Sequence, residues 1–311
     1  MIREDFHFLS KDAKTKIHGV RWLPDGGAVH GVIQLVHGMQ EYIGRYEEFA
    51  EFLTGKGFLV IGHDHLGHGQ SVRDEAHMGY FCKSKPSDTL VADIHQVTAI
   101  TKRVYPDLPF VIFGHSMGSY LVRKYLTIHS DDVDAAILCG TGSVPDAVCR
   151  AGMVLCAFIA MFRGWHYRSS LVKKGTFGGS YAKFCMDGSE PEKSWLCKDT
   201  ERVKKFYSDP LCGVDFTLNG YYGLFSTVSY DNQETYIRQI RNDLPIFLIS
   251  GSEDPVGDAG IGVKRVYQQY KKAGLRDVTF KLYEGDRHEL INEPDRETVF
   301  ADVWEWITSR L

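Results

Sequence analysis

FVIFGHSMGS, residues 110–119, is a strand of buried type that runs into a glycine-flanked turn and out into a helix. Four apolar residues, 110–113, precede Gly114-His115-Ser116-Met117-Gly118, and helical apolar spacing resumes at Tyr120, Leu121, Val122 and Tyr125. G-x-S-x-G in that context predicts a nucleophile elbow, in which glycines let backbone pack closely around a strained serine whose hydroxyl stands above the sheet. Ser116 is therefore the candidate nucleophile. A glycine-rich turn that merely contains serine is the plainer reading, but few such turns lie between a β-run and a helix.

On the amino-terminal side, Phe6 and Phe8, then Ile17, Val20 and Trp22, are spaced as two short strands, and Asp25-Gly26-Gly27 supplies the turn that follows. Residues 29–37 (VHGVIQLVH) form the next strand and end at Gly38-Met39. Tyr46, Phe49, Phe52 and Leu53 then give a helical stripe closed by Gly55 and Gly57, and residues 58–61 give another strand. Leu90, Ile94, Val97, Thr101 and Val104 mark an amphipathic helix with Ser87 or Asp88 as its cap. After the elbow helix, residues 135–139 are apolar again and end in Gly140-Thr141-Gly142. Strand and helix alternate throughout, which predicts a mostly parallel sheet covered on both faces.

That alternation stops over residues 143–230, which carry fifteen of the chain's thirty-nine aromatics. An inserted cap fits this composition, with most of its aromatics forming the cap's own core. Within it, residues 154–162 are apolar all round and read as a buried helix. Alternation returns with PIFLIS (245–250), a helical stripe at Val263, Val266, Tyr267 and Tyr270, the strand VTFKLY (278–283), and a last helix through Val299, Val303, Trp304 and Ile307. The organisation expected is an α/β core from residues 1–142 and 231–311 with a cap or lid at 143–230.

Composition removes several function classes. At 311 residues and 43% apolar content the chain can bury a sizeable core, while a net charge of −4 without any long basic block leaves no footprint for nucleic acid. Seven cysteines, odd in number and free of C-x-x-C spacing, read as reduced thiols in a cytoplasmic protein. The amino-terminal stretch has no continuous apolar core of secretory type. The longest uncharged apolar run, residues 151–162, falls short of the roughly 20 residues that span a bilayer. GHDHLGHGQS (62–71) crowds histidines and an aspartate and invites a metal reading. Gly62, Gly67 and Gly69 make it a tight turn, and no second ligand cluster follows, so a structural turn is expected and no metal.

A serine hydroxyl needs a base, and the base needs a third group to fix its tautomer and balance its charge. In an open α/β sheet these groups sit in loops at the carboxyl ends of strands. Asp254 follows the strand ending at Ser250, and His288 follows the strand ending at Tyr283. The order serine, aspartate, histidine is the one that accompanies an elbow serine. Asp258 and Glu253 share the aspartate's loop as weaker rivals. His115 is fixed beside the serine and directed away from it, and His63, His65 and His68 precede the elbow. The oxyanion would be met by the backbone amides of Met117, after the nucleophile, and Met39, after an earlier strand. Such chemistry needs no cofactor.

The blocks VHGMQEYIGRY, GHDHLGHGQS, FGHSMGS, FGGSYAKF, SWLCKD, SDPLCGVDFT, SGSEDPVGD and GDRHELINE, in this order, make the chain resemble the α/β-hydrolases of the monoacylglycerol lipase and lysophospholipase group. The resemblance implies an eight-stranded, mainly parallel sheet with one antiparallel strand near the amino terminus. It also implies Ser116, Asp254 and His288 as triad, Met39 and Met117 as oxyanion hole, and a lid over an acyl pocket. Gly38, Tyr42, Phe177 and Phe184 are the candidate substrate-contacting residues. Two positions depart from the group: Tyr42 replaces a histidine and Ser119 a glycine, the first bearing on the pocket rim. The expected activity is hydrolysis of a monoacyl lipid or similar carboxylic ester through an acyl-enzyme, with transient membrane contact through the lid. The alternatives are a small-ester or aromatic-acid esterase, an aminopeptidase using Glu190, Glu192 or Glu201 as an amine subsite, and a ligand binder that keeps the elbow without turnover.

Overall fold

The computed structural model describes residues 1–311. Eight strands form one sheet: β1 (Ile2–Leu9), β2 (Lys16–Leu23), β3 (Gly31–Val36), β4 (Phe58–His63), β5 (Phe110–His115), β6 (Ala135–Cys139), β7 (Ile246–Gly251) and β8 (Val278–Tyr283). Their spatial order is β1-β2-β4-β3-β5-β6-β7-β8. Only β2 runs against its neighbours on both sides, and every pair from β4 to β8 is parallel.

Ten helices accompany the sheet. They are α1 (Glu47–Gly55), α2 (Pro86–Val104), α3 (Met117–His129), α4 (Asp146–Arg163), α5 (Ser170–Thr176), α6 (Thr200–Ser208), α7 (Leu218–Asp231), α8 (Glu234–Ile237), α9 (Ile261–Ala273) and α10 (Arg296–Thr308). Alternation along β5 shows how the layers form. Phe110 and Ile112 join a core with Leu90, Ile94, Leu121, Tyr125 and Val266 from α2, α3 and α9. Val111 and Phe113 point the other way, into a core with Phe49 and Leu53 of α1 and Val299, Phe300 and Val303 of α10. Because a strand's side chains alternate, a run apolar at every position has to be covered on both faces. Each such side chain contributes about 1.5–3 kcal/mol when fully buried.

The order of the strands places the site. From β3 the chain moves outward to β4 and then crosses back to β5 on the other side of β3. This reversal opens a crevice at the carboxyl ends of β3 and β5, where α/β sheets bind ligands. Gly38 and Met39 leave β3 there, and Ser116 leaves β5 there.

Between β6 and β7 the chain builds α4 to α8 and adds no strand. Two local expectations are corrected. The α2 helix begins at Pro86 behind a left-handed Lys85, with no side-chain cap. Proline is preorganised for a first helical turn, which frees the Ser87 hydroxyl to accept from Lys124 Nζ at 2.9 Å and to pair with Thr227 Oγ1 at 2.7 Å. Residues 154–162 are not a buried helix either. The α4 helix lies in a single layer on α7, so only the stripe Cys149, Cys156 and Ala160 is covered. Val154, Phe158, Met161 and Phe162 are 70%, 58%, 74% and 71% exposed.

Candidate active site

Ser116 holds φ 53° and ψ −122° between β5 and α3. Strain of this kind costs on the order of 1–3 kcal/mol and has to be held by its surroundings. The flanking glycines explain how: a Cβ at Gly118 would lie 2.0 Å from the Val36 carbonyl oxygen, and one at Gly114 would lie 2.6 Å from that of Gly118. The Ser116 amide donates to Cys139 O at 2.9 Å, and the Ser119 hydroxyl donates to Ser116 O at 2.6 Å. The serine that replaces the group's usual glycine therefore fastens the elbow from its helix side.

Asp254 and His288 meet above the same sheet edge. His288 Nδ1 lies 3.0 Å from each Asp254 oxygen, and both side chains are buried. Asp254 also accepts from Val256 N at 2.8 Å and Ser250 Oγ at 3.1 Å. Burial pushes its carboxyl up, but the His288 charge and hydrogen bond, with these donors, bring it below the usual range. An ionised Asp254 can only accept, so the His288 proton stands on Nδ1 and leaves Nε2 as the basic nitrogen. Nε2 is buried and has no partner within the chain, and no hydrogen bond joins it to Ser116 Oγ. Such bonds often tighten only with substrate bound. Gly140, one residue beyond Ser116's backbone partner, lies so close that a Cβ there would sit 3.0 Å from His288 Cε1. Of the rivals, Asp258 sits at the surface and accepts from Ser180 Oγ at 2.9 Å, and Glu253 does not reach the imidazole.

A second layer went unread in the sequence. Glu41 accepts from Gly38 N at 2.6 Å, Tyr46 Oη at 2.9 Å and His115 Nδ1 at 2.9 Å on one oxygen, and from Arg45 at 2.6 Å on the other. His115 Nε2 lies 3.3 Å from the His288 carbonyl oxygen. Both His115 nitrogens thus face acceptors, which calls for the doubly protonated ring. Burial works against that charge, and Glu41 overrides it to raise the histidine's pKa. Glu41 therefore anchors the Gly38-Met39 loop while its partners reach the His288 loop. The Met39 amide is spent on no turn or ladder bond, and the Met117 amide opens the first turn of α3, where helices have free donors.

The 62–71 turn packs beneath this layer. Asp64 accepts from Ile43 N, Gln70 N and His18 Nδ1, and His37 Nε2 accepts from His65 N at 2.9 Å. Burial pushes His63 and His68 down to about 3, so both rings are neutral packing groups against Phe8, Phe81 and Phe216.

A cavity of about 190 Å³ includes Ser116 in its lining. Met39, Met117, Tyr120, Val148, Phe177, Trp195, Leu224, Phe225 and Val228 line it, and no carboxylate does. Phe177 is thus in the wall, while Gly38 lies below Ser116, where a Cβ would come 2.9 Å from the serine Cβ. Tyr42 and Phe184 are not in the wall. Tyr42 turns outward to donate to Asp209 at 2.9 Å and packs with Leu196 and Phe206, and Phe184 is drawn beneath the Arg287 guanidinium. Glu190 pairs with Lys193 and Glu201 with Lys204, both at the surface.

Fold and site together define a serine hydrolase of the α/β-hydrolase class. The chain belongs to the Hydrolase_4 family (serine aminopeptidase, S33), whose pattern matches residues 27–295. It is 27% identical to a monoacylglycerol lipase of Mycolicibacterium smegmatis over 317 aligned positions, covering 97% of this chain and 98% of that protein. With the human monoglyceride lipase it shares 28% identity over 93% of this chain and 86% of the other. A thermostable carboxyl esterase from Bacillus coagulans, solved in complex with glycerol, superposes with a TM-score of 0.87 at 26% identity, covering 100% of this chain and 99% of that one.

Proposed function

We propose that this serine hydrolase cleaves monoacyl lipids, with Ser116 as nucleophile, His288 as general base and then acid, and Asp254 as the group that orients His288. The observation that carries the reading is the mainly apolar cavity that Ser116 lines, together with the Asp254–His288 pair. Ser116 Oγ attacks the ester carbonyl as His288 Nε2 takes its proton. The amides of Met39 and Met117 receive the oxyanion, a donor pair of which each member is typically worth about 100- to 1000-fold in rate. His288 returns the proton to the departing alcohol, and water repeats the cycle on the acyl-enzyme to release the acid.

The cavity wall and the lipases among the relatives support this substrate class. Apolar side chains from α4, α7 and the loop after α5 suit an acyl chain, buried at about 0.8 kcal/mol per methylene. Residues 143–230 serve as the cap that supplies most of this wall. An aminopeptidase would need a carboxylate for the substrate amine, and none reaches the cavity. The exposed apolar face of α4 suits transient contact with a lipid surface; no helix is long and apolar enough to cross a membrane. The unpaired thiols suit a reducing, cytoplasmic setting.

Hydrolysis of 1- and 2-monoacylglycerols, lysophospholipids, short aryl esters and aminoacyl amides tests this directly. Activity should rise with acyl length beyond butyrate and be absent on the amides. Ser116→Ala should lower kcat about a million-fold. A flat chain-length profile would reject the lipid assignment.

A further inference from the structure

The insert and the histidine loop are fastened together along residues 192–198. Glu289 N donates to Leu196 O at 2.7 Å and His288 N to Trp195 O at 3.4 Å. From below, Arg287 Nη1 reaches the carbonyl oxygens of Ser194, Glu192 and Cys197 at 2.7, 3.1 and 3.3 Å. Lys198 N donates to Glu293 at 2.9 Å, whose other oxygen accepts from Arg287 N at 2.7 Å, and Lys198 Nζ pairs with the buried Asp286. This segment is hydrogen-bonded to the His288 loop at nearly every residue, which fixes the position of each against the other.

The fastening has one evident product. It lays the Trp195 indole over the His288 imidazole, with ring centroids 5.0 Å apart and planes tilted by 28°. His115 lies 4.8 Å away from the same ring, and Gly140 leaves no room at its Cε1 edge. The imidazole thus has Trp195 and His115 as ring neighbours while Asp254 fixes Nδ1. An indole face also attracts a cation, and the imidazole becomes one in each half of an acyl-transfer cycle. On its far side Trp195 meets Tyr181 and Phe177, at 5.5 and 6.2 Å between centroids, so the same residue borders the cavity.

We propose that Trp195 is a positioning residue for the reaction, acting through His288, and not only a wall for the acyl chain. The inference rests on the assignment of His288 as base. It separates two roles that a cap residue can have. A wall residue affects substrates long enough to touch it, chiefly through KM, whereas a residue that holds the imidazole affects every ester through kcat.

The test compares 4-nitrophenyl acetate with 4-nitrophenyl decanoate in the full-length protein. Trp195→Leu keeps an apolar side chain but removes the π face, and kcat should fall about 10-fold on both esters while the acetate KM changes less than about twofold. Trp195→Phe should restore kcat to within about threefold of the parent on both. Arg287→Lys, which keeps the Trp195 side chain but gives up the Nη1 contacts to the three carbonyls that place it, should lower kcat on both esters as well. An unchanged acetate kcat in Trp195→Leu, with only the decanoate KM raised, would overturn the proposal. Should Trp195→Leu fail to fold, an acetate kcat unaltered in Arg287→Lys and a Trp195→Phe variant impaired only on decanoate overturn it instead. Ser116→Ala assayed alongside keeps the two readings apart: residual full activity there would sink the catalytic assignment itself, whereas an inactive Ser116→Ala leaves any failure to Trp195 alone.

Discussion

Arg45 meets Glu289 through both arms of its guanidinium, Nη1 to Oε1 and Nη2 to Oε2, each at 2.7 Å. The same Nη1 also reaches Glu41 at 2.6 Å. One cation therefore joins the carboxylate that anchors the Gly38-Met39 loop to the carboxylate next to His288. Both carboxylates are only 4% exposed, so neither has water to fall back on. Arg45→Met should strip Glu289 of its counter-charge and leave Glu41 with His115 alone, at a cost of about 3–5 kcal/mol of stability, read as a lowered urea midpoint. Arg45→Lys keeps the charge but loses the two-point geometry and should fall between. A variant as stable as the parent would mean that the pair is structurally idle.

The His115–Glu41 contact should give stability a dependence on pH. Burial opposes a charge on His115, yet Glu41 raises its pKa above the ordinary histidine value. The folded chain then keeps a proton that the unfolded chain releases. That stabilisation is complete below the ordinary histidine pKa and is lost as pH rises through the raised value. Glu41 has the opposite sign. Burial pushes its carboxyl up, His115 and then Arg45 hold it well down, and its contribution is lost only as pH falls through that depressed value. Urea midpoints should therefore decline on the alkaline side, and His115→Gln should flatten that decline. An equal slope in parent and variant would remove His115 as its source.

Gly140 tests how tightly the imidazole is held. Its φ is +61°, and an added Cβ would lie 3.0 Å from His288 Cε1 and 3.1 Å from Nδ1. Gly140→Ala must therefore push the ring or strain the backbone. A shift near 1 Å at a reacting group can cost about 100-fold in rate, and kcat on a short aryl ester should fall on that order while KM holds. A variant with parental kcat would show that the ring has slack.

How much of this was legible depends on the range of each interaction. The sheet was readable because strands covered on both faces are apolar at every position, as residues 110–113 are. That Asp254 and His288 meet was readable because both follow strands whose carboxyl ends share one edge with Ser116. The Glu41–Arg45–Glu289 link was not. Glu41 and Arg45 stand four apart, a spacing open to reading as a local pair, but Glu289 lies 244 positions away and no local pattern announces it. Phe177, Phe184 and Trp195 look alike in sequence, and only the packing of the insert decides which borders the cavity. Tyr42 was placed at the pocket by its neighbours in the chain, whereas its hydroxyl follows Asp209 outward. The α4 helix failed for a related reason: a helix apolar all round does not say which side its neighbours will cover.

That uncovered side gives the last prediction. Val154, Phe158, Met161 and Phe162 project from α4 away from α7, none lines the cavity, and the helix also carries Val148, which does. A surface that holds α4 would thus stand next to the cavity lined by Ser116. Phe158→Ser with Phe162→Ser withdraws two large apolar side chains, each worth about 1.5–3 kcal/mol when fully buried. The double variant should sediment with phosphatidylcholine vesicles at least about 10-fold more weakly, since insertion of each ring is partial. Its kcat on dissolved 4-nitrophenyl acetate should match the parent, because neither residue touches Ser116 or its partners. Turnover of a monoacylglycerol presented in those vesicles should drop with binding and recover when the substrate is dispersed in detergent. Vesicle binding equal to that of the parent would mean that this face serves something other than a lipid surface.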